Sequence, residues 1–142
     1  MKLRLVPMTA EHYLEAASPA YPWIGRERAE ALARTGPAWA GFWDDLLLGV
    51  AGVSILWPGV GEAWAILTAA GRQHPLIVHR AIVRQLAGII REHGLRRLQA
   101  DVIEEFTAGQ QWVERLGLIQ ESVMPQYGPE GQTMVRYRRF FS

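Results

Sequence analysis

Glu62-Ala-Trp-Ala-Ile-Leu-Thr68, followed by Ala69-Ala-Gly-Arg-Gln-His74 and then Pro75 through His93 to Gly94, is the stretch that decides how this chain folds. The first segment has the apolar, bounded character of a buried strand. The second reads as a tight loop. Pro75 suits the first position of a helix, where an amide hydrogen would lack a partner anyway. Gly94 supplies the left-handed residue that commonly ends one. Between them, Leu76, Ile77, Val83, Leu86, Ile89 and Ile90 recur at helical spacing, while Arg80, Arg84, Gln85, Arg91 and Glu92 fill the opposite face. The start of such a helix presents free N–H groups and about half a positive charge. Arg72 and His74 surround that point, so it suits a pyrophosphate. The same stretch also reads as an ordinary strand–helix crossover with a solvated first turn.

The totals narrow the setting. With 142 residues, one domain (1–142) with a real core is expected. The apolar fraction of 49% and charged fraction of 20% are those of an ordinary soluble protein. A net charge of +1 gives no global case for a nucleic-acid or membrane partner. The chain has no cysteine, so disulfides, thiolate metal sites and a cysteine nucleophile are excluded. That composition fits a reducing, cytoplasmic compartment. No signal peptide is evident, and the longest apolar run, Leu46 to Trp57, is too short to span a membrane. Six tryptophans are many for this length, and most are expected in the core or in pocket walls.

Outward from the central stretch, Lys2 to Val6 alternates as a first strand, and Thr9 caps a helix reaching Ala17. The loop Ser18-Pro-Ala-Tyr-Pro-Trp23 places Tyr21 and Trp23 either at a pocket rim or simply against the core. Gly25 to Thr35 is a second helix. Ala38 to Trp43 and Leu46 to Leu56 form a hairpin, in which Gly49 and Gly52 suggest a bulge or a close backbone approach. Beyond the central helix come a strand (Arg97 to Ile103), a helix (Phe106 to Leu116) and a terminal hairpin (Leu118 to Met124 and Thr133 to Phe140). Arg136-Tyr-Arg-Arg-Phe-Phe141 is basic with interleaved aromatics, as nucleic-acid surfaces can be, but an edge strand with a charged outer face explains it more simply. The resulting order, β-α-α-β-β-β-α-β-α-β-β, is a mixed α/β domain.

That order resembles the GNAT superfamily of acyl-CoA-dependent N-acetyltransferases over essentially the whole chain. Leu3-Arg-Leu-Val-Pro-Met-Thr9 is similar to the family's opening strand and turn, and Val113-Glu-Arg-Leu-Gly-Leu118 to its "Y-E-K-L-G-F" segment. The resemblance implies a mostly antiparallel sheet of about seven strands flanked by about four helices. It also implies an acyl-CoA cofactor, acetyl-CoA or another, and a small amine or peptide amine as acceptor. The family's cofactor loop, Q/R-x-x-G-x-G/A, falls on Arg72-Gln-His-Pro-Leu-Ile77, with the arginine kept and both glycines absent. Its usual tyrosine acid falls on Val113, and an asparagine earlier on that helix falls on Phe106. The short loop and the segment Tyr127-Gly-Pro-Glu-Gly131 are also similar to the GNAT-like internal virion proteins of short-tailed phages.

The resemblance implies a site. The backbone of Ile66, Leu67 and Thr68 would hold the pantetheine arm, and Arg72, Gln73, His74 and Leu76 the pyrophosphate. His74 also reads as a base or, most simply, as the cap of the helix that follows. Glu62 is the candidate base, where family members place a glutamate, and it also reads as a solvent-facing residue after a Gly-Val-Gly turn. Tyr127 could line the acceptor pocket, supply the missing acid, or only pack. Glu104 and Glu105 could recognise a cationic acceptor or form a solvated acidic turn. His79 and His93 read as surface helix residues. No histidine–carboxylate cluster has metal-ligand spacing. Two functions stay open: an acetyltransferase with a degenerate pyrophosphate loop, and an inactive GNAT-fold structural or binding protein, virion-associated if phage-derived. A homodimer or virion proteins stand as partners accordingly.

Overall fold

Each turn of the chain is set by local chemistry. A computed structural model describes residues 2–17 and 25–142, so Tyr21 and Trp23 lie outside the described residues. After β1 (Leu3–Pro7), the Thr9 hydroxyl accepts from the His12 N–H at 3.2 Å while His12 Nδ1 accepts from the Thr9 N–H at 3.1 Å. This reciprocal pair starts α1 (Ala10–Ala17) with histidine in the place usually held by glutamate. There follow α2 (Arg26–Arg34), β2 (Ala38–Trp43), β3 (Leu46–Trp57) and β4 (Val60–Leu67). Then come α3 (Ala69–Arg72), α4 (Pro75–His93), β5 (Arg97–Ile103), α5 (Thr107–Arg115), β6 (Ile119–Met124) and β7 (Met134–Phe140). Gly94, at φ 56°, ends α4 as its sequence position predicts.

The seven strands form one sheet in the order β1-β2-β3-β4-β5-β7-β6. Every neighbouring pair is antiparallel except β4 and β5. Strand alternation divides the sheet into two faces. Leu98, Ala100 and Val102 of β5 face a core beneath α4 that also holds Val78, Ile82 and Leu86. Val50, Leu47 and Ala40 face a smaller core with Tyr13 and Ala17 of α1 and Ala29 of α2. Gly49 and Gly52 make the close approaches their sequence suggests: a Cβ would lie 2.6 Å from the Ile66 carbonyl at one, and 2.7 Å from the Pro37 carbonyl at the other.

Three sequence expectations require correction. Residues 69–72, expected within a loop, form the single turn of α3, because the Thr68 hydroxyl accepts from the Gly71 N–H at 3.2 Å and caps it. This single turn is the fifth helix among the described residues, beside the four expected. On α4 the buried stripe is Val78, Ile82, Leu86 and Ile89, while Leu76 is 71% exposed and Val83 45%. Val83 lies about 100° round the helix from Ile82, outside the strip that touches the sheet. Finally, β7 is not an edge strand. It sits between β5 and β6, so its arginines meet charged partners on both sides. The tryptophans divide: Trp39 and Trp43 pack on the larger core, whereas Trp57 is 58% exposed.

Candidate active site

The site begins where hydrogen bonding between two central strands stops. β4 pairs with β5 only at Val60–Arg97, Gly61–Leu98 and Glu62–Gln99. From Ala63 onward the two strands separate. The Val53 and Ile55 N–H groups donate to Pro37 and Thr35, on the β2 side, so the intervening β3 residues bond to β4. Glu62, Trp64 and Ile66 are their partners, and the Thr68 N–H continues the ladder by donating to the Leu48 carbonyl at 3.0 Å. By the same alternation, the N–H and C=O of Ala63, Ala65 and Leu67 point toward the gap. This corrects the expectation at Ile66 and Thr68, whose amides belong to the β3 ladder. The Thr68 hydroxyl is also committed, donating to the Leu47 carbonyl at 2.7 Å. The Leu67 carbonyl accepts from Arg72 Nη1 at 2.8 Å.

The gap opens into a cavity of about 290 Å³ lined by residues from both faces of the sheet. Ile82, Leu86, Trp112 and Val113 line it on the α4 and α5 side; Tyr13, Arg28 and Trp64 line it on the α1 and α2 side. Ala65 is exposed within it although it lies in mid-strand. Phe106 and Val113, the positions that would carry the asparagine and the tyrosine, both reach this cavity. The Trp112 Nε1–H donates to His79 Nδ1 at 3.2 Å, so His79 is not the free surface residue the sequence suggests but a tie between α5 and α4.

Past the end of β4, α3 leads into α4. His74 precedes Pro75 and makes no side-chain cap; its ring stacks on Trp43 at 5.9 Å. The Val78 N–H already bonds the His74 carbonyl, and Pro75 has no N–H. Leu76 and Ile77 therefore hold the amides that this helix start leaves open, with no acidic residue in the first turn to oppose an anion. Gln73 ends α3 with its N–H on the Ala69 and Ala70 carbonyls. Gly71, the glycine this loop retains, serves packing: a Cβ there would lie 2.0 Å from the Leu48 carbonyl.

On the α1 and α2 face, polar residues of β4, β5, β6 and β7 join into one network. Gln99 Nε2 donates to Glu62 Oε1 at 3.0 Å, and Arg136 Nη2 lies 3.9 Å from the same oxygen. Arg136 donates to both Asp101 oxygens, at 2.8 and 2.9 Å, and to the Tyr127 hydroxyl at 3.3 Å. The Asp101 carboxylate holds the Arg136 guanidinium well above its ordinary value. Further along, Arg97 donates to Gln99 at 2.9 Å and to Glu121, whose carboxyl is held below the usual range by that hydrogen bond. The structure thus brings Glu62 and Tyr127 together through Arg136. It does not bring Glu104 and Glu105 to the cavity: both are exposed, and the Glu104 N–H bonds the Thr133 carbonyl. Asp101, Gln99 and Arg136 escaped sequence reasoning. Two-residue alternation marks their common face only once β5 is known to lie between β4 and β7.

Among the described residues no cluster of His, Asp or Glu is placed to hold a metal, and no helix is long and apolar enough to cross a membrane. No protein-family profile matches the chain, and no curated protein matches it in sequence. Solved structures do. The IAA acetyltransferase from Bacillus cereus superposes with a TM-score of 0.77 at 12% identity, covering 99% of this chain and 100% of that one. A Desulfovibrio desulfuricans protein provisionally described as a GNAT-family acetyltransferase gives 0.74 at 19% identity, covering 98% of each chain. A spermidine N-acetyltransferase chimera from Vibrio cholerae and hSSAT gives 0.75 at 14%, covering 99% of this chain and 96% of that one. What this chain shares with them is the fold, that of the GNAT acetyltransferases; in this chain it is a mixed, mostly antiparallel seven-stranded sheet that splits between its fourth and fifth strands. The similarity to phage virion proteins finds no counterpart among these three.

Proposed function

We propose that this chain is an acyl-CoA-dependent N-acyltransferase, taking acetyl-CoA as donor and an amine as acceptor. The observation that carries the reading is the split seam itself. Backbone groups of Ala63 and Ala65 face a cavity lined from both sides of the sheet, and the same strand leads, through α3, to an uncapped helix start. The pantetheine arm needs an open strand edge of this kind, and the pyrophosphate needs free amides, here Leu76 and Ile77. Arg72, exposed and with one Nη1 bond to Leu67, is a further phosphate ligand, with Gln73 and His74 beside it. When bound there, acyl-CoA supplies an activated acyl carbon.

The chain's own residues do the rest. Glu62 takes the proton of the incoming amine, through a water, so that the nitrogen lone pair is free to form the new C–N bond as the C–S bond breaks. Its Oε1 is held by Gln99 and faces Arg136, which keeps the carboxylate oriented while Oε2 stays available. Val113 presents no proton to the cavity, so a departing thiol would depend on water for its proton. Tyr127 orients Arg136 rather than acting as the acid.

Thermal unfolding with acetyl-CoA tests the reading. Ligand at about 100 times its dissociation constant adds roughly 2.7 kcal/mol to stability. A dose-dependent rise in Tm is expected, and Arg72→Ala should weaken acetyl-CoA binding by roughly 1.5–3 kcal/mol in calorimetry. No rise at millimolar acetyl-CoA sinks the proposal. The valine at position 113 and the absent loop glycines favour a second reading, a GNAT-fold binding protein without turnover, such as a virion component. Binding of acetyl-CoA with no thiol release for any amine would select it.

A further inference from the structure

We propose that the exposed face of α4 docks an acidic helix of a carrier protein, which delivers the acyl group to the split seam on a phosphopantetheine arm in preference to free acyl-CoA. This rests on the acyl-transfer reading and names the partner that brings the donor. The first observation is a row of unanswered cations. At about 100° per residue, Leu76, Arg80, Val83, Arg84, Ala87 and Arg91 fall within about 100° of one another, opposite the buried Val78, Ile82 and Leu86. All six are exposed, and the row runs about 22 Å along the helix. Arg80, Arg84 and Arg91 make no hydrogen bond or ion pair among the described residues. The one acid of α4, Glu92, lies about 80° round the helix beyond Arg84, outside the row. Arg80 and Arg84, one turn apart, repel each other, which weakens the helix when nothing covers it. An anionic partner turns that repulsion into attraction.

The second observation is Gly88, between Arg84 and Arg91. Glycine inside a helix is less stable than alanine, and here an added Cβ would meet nothing within 4 Å, so the chain's own packing does not ask for it. With Ala87 it lowers the exposed face where a second helix can come close. The third is continuity with the seam. The row begins at Leu76, 71% exposed, whose amide is one of the two left open at the helix start. The amides of Arg72, Gln73 and His74 are already bonded to carbonyls of residues 68–71, and Pro75 has none. Two amides suit the single phosphate of a carrier's arm better than a pyrophosphate. The fitting partner is an acidic helix with apolar side chains among its acids, so that carboxylates meet the arginines and apolar groups cover Leu76 and Val83. The row has no aromatic side chain on which a base could stack, which disfavours a nucleic acid. The transfer step is unchanged. The C–N bond forms as the C–S bond breaks, Glu62 takes the amine proton through a water, and the thiol, still on its carrier, depends on water for its own.

The test uses the full chain, with acetylated acyl carrier protein, the apo carrier without its arm, acetyl-CoA and a short DNA duplex as probes. We expect the acetylated carrier to bind at least tenfold more tightly than acetyl-CoA in calorimetry, the apo carrier to bind more weakly than the acetylated one, and carrier affinity to fall as salt is raised. Arg80→Glu combined with Arg84→Glu reverses two exposed charges outside the proposed chemistry. It should weaken carrier binding at least tenfold while leaving acetyl-CoA binding and the far-UV circular dichroism unchanged. Gly88→Leu should likewise weaken the carrier alone. Unchanged carrier affinity in the double variant, equal binding of apo and acetylated carrier, tighter binding of the duplex, or a preference for acetyl-CoA overturns the inference. If acetyl-CoA still raises Tm in that event, the acyl-transfer reading survives. Arginine-dependent carrier binding with no thiol release from either donor removes the transfer reading, and the delivery role with it.

Discussion

The two seams that flank β4 follow opposite rules. Toward β3, pairing runs from Gly49–Leu67 to Trp57–Val60, nearly the whole strand. Toward β5 it stops after three pairs. The closed seam is packed so tightly that glycine is required at Gly49, where an added Cβ would lie 2.6 Å from the Ile66 carbonyl across it. The open seam leaves an alanine, Ala65, exposed in mid-strand beside a cavity. One strand thus carries a structural edge and a candidate ligand edge, and the difference teaches where to expect instability and where to expect loss of binding.

Substitutions can break that contrast. The largest effect is expected where the open seam is pinned shut. Leu98, paired with Gly61 and almost fully buried, should cost about 2–5 kcal/mol on Leu98→Ala in urea unfolding. In the closed seam, Gly49→Ala should cost about 1–3 kcal/mol, because the Ile66 carbonyl cannot move aside without opening the β3–β4 ladder. Within the polar network, Arg136→Met removes both hydrogen bonds of the largely buried Asp101 and should cost about 1–2 kcal/mol, with near-complete recovery when Asp101→Leu is added.

A smaller effect is expected from pH. Arg97 lowers the Glu121 carboxyl in the folded chain, so below the ordinary value of 4.5 the unfolded state takes up its proton first. The contribution is whole above that pH and fades as pH falls through the lowered value; urea midpoints between pH 6 and 3 should therefore drop less in Glu121→Gln. The smallest change in stability belongs to the open seam. Ala65→Leu should shift the unfolding free energy by under about 0.5 kcal/mol, yet remove the stabilisation by acetyl-CoA. A large loss of stability there would mean that the seam is not open in solution.

Much of this was legible in the chain. Pro75 and Gly94 bounded α4 correctly because a missing donor and a positive φ are local demands. Gly49 and Gly52 foretold close packing, and the loss of glycine and tyrosine at positions 75, 77 and 113 could be read directly. The α3 turn was missed because its cap, Thr68, looked like the end of a strand; its hydroxyl serves Leu47 and Gly71 at once. The buried stripe of α4 was misplaced because periodicity gives an apolar arc wider than the contact.

The network around Glu62 was legible only in part. The glutamate could be picked out on a strand, but not Gln99, Asp101 and Arg136 beside it, since they are separated from it by 37 residues or more along the chain. The sequence by itself determined the elements, their order and most of their ends, since these follow from propensity, capping and turn chemistry within a few residues. Only the tertiary structure decided that β7 inserts between β5 and β6, that β4 and β5 part after three pairs, and which amides and arginines face the gap. Strand neighbours are chosen by packing across the whole sheet, and no local residue pattern encodes the choice.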